Sequence, residues 1–114
     1  MISRTPKPPY YAVIFTSLFA DSLCPEEEKK KEKDYDDMAL KMFALAEEQP
    51  GFLGVESARQ GLGVTVSYWT DLESIRKWKA NEAHMEAQKK GRDLWYKSYK
   101  TRIAKVERDY ESIK

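Results

Sequence analysis

Cysteine is almost missing from this chain. Cys24 is the only one in 114 residues, so no internal disulfide can form. Histidine is as scarce, with His84 alone, and one cysteine plus one histidine cannot close a zinc site. An excess of charge is missing too: twenty basic residues against nineteen acidic ones leave a formal charge of +1. That balance argues against a dedicated nucleic-acid binder, which normally shows a basic face or a high pI. The longest apolar stretch, Tyr10 to Ala20, is too short and too interrupted to span a bilayer. Met1 to Pro9 is polar and proline-rich, with no apolar run behind a basic start, so it does not resemble a secretory signal. A phosphate-cradling glycine loop is absent as well, because GFLG and GLG occupy hairpin positions without a strand-to-helix context. The expected setting is cytoplasmic, with neither membrane nor nucleic acid as partner.

What is present is a globular balance, 41% hydrophobic and 34% charged, in a length that suits one domain. Residues 1–9, with prolines at 6, 8 and 9, predict an extended arm, and residues 10–114 the domain itself. Tyr10 to Phe19 is rich in β-branched and aromatic residues and reads as a strand. Both of its alternating sets are largely apolar, so burial on both faces is expected. Pro25 opens a helix, with Glu26 to Glu28 at the positive end of its dipole. The mixed-sign run Glu26 to Lys33 reads as a solvated helix turn, and the wider segment 26–37 as either a helix extension or a lid. Tyr35, Met38, Ala39, Met42, Leu45 and Ala46 then place one stripe against a core.

Pro50-Gly51 stops that helix. Phe52 to Arg59 and Leu62 to Tyr68 flank Gln60-Gly61 as a β-hairpin. Thr70 and Glu73 have capping-box spacing, so a second helix starts near Asp71 or Leu72 and runs to about Tyr96, with a break at Asn81. Tyr99 to about Glu107 alternates as a last strand. The order β-α-β-β-α-β is the ferredoxin-like pattern of the α+β class, an antiparallel sheet with both helices on one face. The other face needs a cover, and a second copy in a two-fold homodimer supplies one.

On the second helix, Lys79, Glu82, Glu86, Lys89, Lys90 and Asp93 fall in one solvent arc of roughly 100°. Opposite them lie His84, Gln88 and Trp95, flanked by Asn81, Met85, Gly91 and Arg92. An inward face ought to be apolar, yet this one carries an imidazole, an amide and a guanidinium. Buried polar groups need partners, which the sheet, a second chain or a ligand can provide. A pocket between this helix and the sheet accounts for the composition. The plainer alternative makes His84, Gln88 and Arg92 structural, bonded to sheet or partner, with Trp78, Trp95, Tyr96 and Tyr68-Trp69 as core aromatics. Cys24, just before Pro25, is either a reactive thiol at a helix start or a small residue in a turn.

From Phe52 onward the chain resembles the antibiotic-biosynthesis-monooxygenase-like family of dimeric α/β barrels. The resemblance is carried by GFLGVESAR (51–59), VSYWTDLESIRKWKANEAHMEAQKKGRDLWY (66–96) and YKTRIAKVERDY (99–110). It implies a homodimer whose two sheets face each other, with helices outside and a ligand cavity between helices and sheet. Some members oxygenate aromatic polyketides with dioxygen and neither metal nor flavin, using a bound enol or phenolate whose own carbanion reduces oxygen. The haem-degrading branch pairs a strand asparagine with a helix tryptophan and a histidine about three turns later. Trp78 fits the tryptophan, but Gln88 stands ten residues on, His84 only six, and Tyr10 to Phe19 has no asparagine.

Three readings follow. The first is a cofactor-independent monooxygenase of a small aromatic or quinone-like substrate. In it His84 acts as base and Arg92 stabilises the developing anion, while Asn81 and Gln88 orient the substrate and Trp78, Trp95 and Tyr68 wall the cavity. The second is a non-catalytic small-molecule binder on the same scaffold. In the third the polar arc only ties the fold or dimer together.

Overall fold

The computed structural model describes residues 1–21 and 25–114, and for Glu82 the backbone alone. Cys24 and the solvent-arc position of the Glu82 side chain therefore lie outside the described residues. The elements run β1 (Tyr10–Phe19), α1 (Pro25–Glu47), β2 (Phe52–Gln60), β3 (Leu62–Trp69), α2 (Leu72–Ala80), α3 (Glu82–Lys90) and β4 (Tyr96–Val106). A single π-helical turn, Gly91–Trp95, joins α3 to β4. The strands form one antiparallel sheet in the order β2-β3-β1-β4, the ferredoxin-like arrangement.

α1 is helical because Pro25 starts it, three glutamates fill its first turn, and no β-branched residue interrupts its 23 residues. The charged segment 26–37 is thus helix, exposed to water except where Lys31 and Tyr35 turn inward. Lys31 donates from Nζ to the Ala20 carbonyl at 3.1 Å, tying the helix to the end of β1. The inward stripe holds at Tyr35, Met38, Met42, Leu45 and the buried Ala46, whereas Ala39 is exposed. Gly51 ends the connection with φ +86°, where a side chain would also collide with the Ser74 and Thr70 hydroxyls. Gly61 turns the hairpin at φ +76°.

The second helix breaks at Asn81 as expected, but its cap and its end differ from expectation. Its N-cap is Asp71, whose Oδ1 accepts from Ser74 N at 2.7 Å, so the Thr70–Glu73 capping box does not form. It is divided at Asn81, which closes α2 by donating its N–H to the Trp78 carbonyl and opens α3 with its side chain. The final strand begins at Tyr96, three residues earlier than the alternation suggests, because the π-turn ends at Trp95.

Register sorts the sheet into two faces. One carries Phe52, Val55, Ser57 and Arg59 of β2, Gly63, Thr65, Ser67 and Trp69 of β3, Tyr11 to Phe19 (odd numbers) of β1, and Tyr99, Thr101 and Ile103 of β4. The helices lie on this side: Phe19 meets Tyr35 of α1 at 4.9 Å between ring centroids, and Trp69 meets Trp78 of α2 at 6.0 Å. The opposite face carries Ala12, Ile14, Ala58, Val64, Val66, Tyr68 and Ala104, with no helix over it. β1 is thus apolar on both faces but helix-covered on one.

Candidate functional site

The helix-covered face has two aromatic ends and a hydroxyl-bearing middle. At one end a ladder of rings climbs from α1 to α3. Phe43 meets Phe52 at 6.5 Å, Phe52 meets Trp69 at 5.3 Å, Trp69 meets Trp78 at 6.0 Å, and Trp78 stacks on His84 at 4.4 Å and 13°. Trp69 anchors the ladder at 0% exposure, and its Nε1 donates to Ser67 Oγ at 2.9 Å.

His84 owes its position to the broken helix. Asn81 Oδ1 accepts from Ala83 N and His84 N at 3.0 and 3.3 Å, which fixes the first turn of α3. The imidazole Nδ1 then lies 2.9 Å from the Trp78 carbonyl. A carbonyl only accepts, so Nδ1 carries the proton and Nε2 keeps the lone pair in the neutral ring. Burial pushes the imidazole below its ordinary range and Lys79 adds to this, outweighing the opposite pull of the Trp78 carbonyl. At neutral pH His84 is therefore an uncharged base with a defined tautomer.

The middle of the face is a row of hydroxyls. Ser57 and Thr65 are cross-strand partners whose oxygens lie 2.9 Å apart, and Ser67 and Thr101 lie on the same side. Val13, Val55, Thr65 and Ser67 are only half-buried, although the helices lie on their side. At the far end Tyr35, Trp95, Tyr96, Phe15, Phe19 and Tyr99 form a second aromatic group. Trp95 meets Tyr35 edge-on at 5.3 Å, and the Tyr96 hydroxyl donates to Tyr35 Oη at 3.2 Å. Gly91 permits this packing, since a Cβ there would lie 2.7 Å from the Tyr96 ring. Burial, with the Tyr35 hydrogen bond behind it, raises the Tyr96 phenol above its ordinary value.

The expected site residues scatter accordingly. Trp78, Asn81 and His84 meet at the α2–α3 joint, with Gln88 half-buried one turn further along α3. Trp95 is buried at the other end of the face. Arg92 and Met85 are exposed, Met85 one residue past the inward His84 and Arg92 in the π-turn that follows α3. Tyr68 lies on the opposite face of the sheet, where its hydroxyl donates to Glu56 Oε1 at 2.6 Å, so it walls no space beneath the helices.

Neither of two hollows borders His84. One of about 40 Å³ lies between Phe19, Ala20, Tyr35 and α1, and a shallow one of about 240 Å³ opens beside Leu62, Ser98, Lys100 and Arg102. Arg59 went unread in the sequence. It shares the face of Val55 and Ser57 by simple alternation, and its cross-strand partner is Gly63, which has no side chain to stop it reaching inward. Among the described residues no group of three His, Cys, Asp or Glu stands together as metal ligands, and no helix is long and apolar enough to cross a membrane.

A ferredoxin-like α+β unit with an aromatic group at each end of its helix-covered face is the class these features define. The chain belongs to the antibiotic biosynthesis monooxygenase family, whose profile matches residues 25–90, more than half of its length. It is 48% identical over 111 residues to the uncharacterised protein YqjZ of Bacillus subtilis, covering 94% of this chain and 88% of that one. Among solved structures it resembles a variant of SnoaB, a cofactor-independent oxygenase from Streptomyces nogalater, with TM-score 0.70 at 13% identity, covering 90% of this chain and 98% of the other. Rv0793 from Mycobacterium tuberculosis gives TM-score 0.70 at 9% identity, covering 90% and 99%. At such identities the structures establish the fold.

Proposed function

We propose that the protein is a cofactor-independent monooxygenase of a small aromatic or quinone-like substrate, held between the helices and the hydroxyl-bearing middle of the sheet. The observation that carries this reading is the state of His84: neutral, anchored through Nδ1, and stacked on Trp78 with Nε2 free to accept a proton. Family membership and the SnoaB likeness support it. Nε2 takes the phenolic proton of the substrate, and the resulting carbanion gives electrons to dioxygen as a C–O bond forms. The O–O bond then breaks, with protons from His84 and the oxygenated carbon leaving in water. A phenol with its para C–H and one O2 thus become a quinone and one H2O. Trp78 and Gln88 contact the substrate, Asn81 positions His84, and exposed Arg92 is given no share of the charge. The protein acts as a cytoplasmic homodimer in which the open apolar face of the sheet is covered by a second copy.

The test is an aerobic screen of polycyclic phenols under 18O2, reading label in the product by mass spectrometry. His84→Ala is expected to lower turnover about 10²- to 10⁴-fold without changing the oligomer. Unchanged turnover removes His84 from the mechanism. Saturable binding of these phenols with no labelled product favours the second reading, a non-catalytic binder.

A further inference from the structure

Arg59 is a cation carried into the helix-covered half of the molecule. Its guanidinium lies 3.8 Å above the centre of the Phe19 ring and 5.9 Å from that of Tyr35. It crosses β3 over Gly63 to reach β1, where Nη1 donates to the Ser17 carbonyl at 3.4 Å and Nη2 to Ser17 Oγ. Ser17 is itself 2% exposed, so the anchor is buried. Two of the five guanidinium N–H donors are used in this way. Among the described residues no carboxylate comes within ion-pair distance of Arg59. A half-buried guanidinium held by a serine and stacked on a ring, without a counter-charge, is poised for an anion.

The surroundings specify that anion further. Tyr35 Oη accepts from Tyr96, which leaves its own proton to donate. The next cross-strand row toward the middle of the sheet presents the Ser57 and Thr65 hydroxyls. Phe15, Phe19 and Tyr96 offer ring faces and edges beside it. Glu28 and Glu32 of α1, together with Lys31, line the small hollow that Phe19 and Tyr35 also border. Those two carboxylates oppose a dianion more strongly than a monoanion. The flat guanidinium fork matches a carboxylate.

We propose that Arg59 is a carboxylate-binding subsite on the helix-covered face of the sheet, and that the natural ligand is a planar aromatic acid. The inference rests on the small-aromatic-ligand reading above but not on its being oxidised. The experiment is therefore an anaerobic calorimetric titration of the full chain with 2-naphthoate, neutral 2-naphthamide and 2-naphthyl phosphate. The acid is expected to bind about ten- to a hundredfold more tightly than the amide, and more tightly than the phosphate. Arg59→Met should erase the preference of acid over amide, with Arg59→Lys falling between. If Arg59→Met does not fold, the wild-type Arg59 Nε–Hε resonance gives the same answer by shifting with the acid and not with the amide. Equal binding of acid and amide, no binding of the acid, tighter binding of the phosphate, a preference that survives in Arg59→Met, or an unmoved resonance overturns the proposal. Since no turnover is read, these outcomes are separate from the 18O2 result for His84.

Discussion

The two faces of the sheet depart from the usual division of labour. An antiparallel sheet with helices on one side normally turns apolar residues toward the helices and polar ones toward water. Here the helix side carries Ser57, Thr65, Ser67 and Thr101 among its apolar residues, while the open side carries Ala12, Ile14, Ala58, Val64, Val66 and Ala104 together with Thr16, Glu56 and Arg102. Leu62 at the edge of the open side is 52% exposed. Hydroxyls beneath helices contribute little to packing but serve a ligand that needs hydrogen-bond partners. A contiguous apolar surface without a helix marks an association site. On the proposed reading, ligand recognition falls to the helix side and assembly to the open side.

The largest effect expected from breaking this division comes from Ile14→Lys at the centre of the open face. A lysine there places an unpaired charge in the proposed interface of each subunit, at several kcal/mol apiece. Sedimentation velocity should show loss of the dimer, and the melting temperature should fall with it. Thr65→Val on the other side of the same sheet should leave the sedimentation coefficient unchanged. If Ile14→Lys remains a dimer of ordinary stability, the open face is not the interface.

A smaller effect, confined to the helix side, is expected from Asn81→Ala. It removes the acceptor of two backbone N–H groups, at a cost of about 1 kcal/mol. Chemical denaturation should show that loss without a change in oligomer. The His84 ring resonances should broaden or move as the first turn of α3 loosens. Unmoved His84 resonances would mean that stacking on Trp78 positions the ring without help from the cap.

Much of this division was legible in the sequence, and the failures have a common origin. Alternation in Tyr10 to Phe19 told that β1 is apolar on both sides, and Pro25 and Pro50-Gly51 bounded α1. Inward positions at His84, Gln88 and Trp95 followed from helical spacing. Arg92 and Met85, expected at the flanks of the inward arc, are exposed: Met85 sits about 100° round α3 from His84, and the π-turn shifts the phase at Arg92. Tyr68 was assigned to the wrong side because its partner determines its face: the pairing with Ala12 and Gly54 is a fact of register between distant strands. Arg59 was invisible for the same reason, since its importance arises from Gly63 and Ser17, neither of which is near it in a helical or strand pattern of its own.

The smallest effect also compares the faces, through one titrating group on each. On the helix side, burial depresses the His84 imidazole below its ordinary 6.5. The folded state therefore favours the neutral ring, so this group's stabilisation is complete above pH 6.5 and is lost as pH falls through the lowered value. On the open side Glu56 accepts from Tyr68 and from the Ser3 amide at 2.9 Å, which together hold its carboxyl below the ordinary 4.5. Its contribution is present above pH 4.5 and is lost as pH falls through the lowered value. Tyr68, pushed up to about 12 by burial and by Glu56, keeps its proton throughout this range. Two separate acid steps should therefore appear in the melting temperature, the first abolished by His84→Gln and the second by Glu56→Gln. Only the second should coincide with release of the N-terminal segment, read from the Ser3 amide resonance. Simultaneous release of Ser3 with the His84 step would show that the two faces are energetically coupled across the sheet.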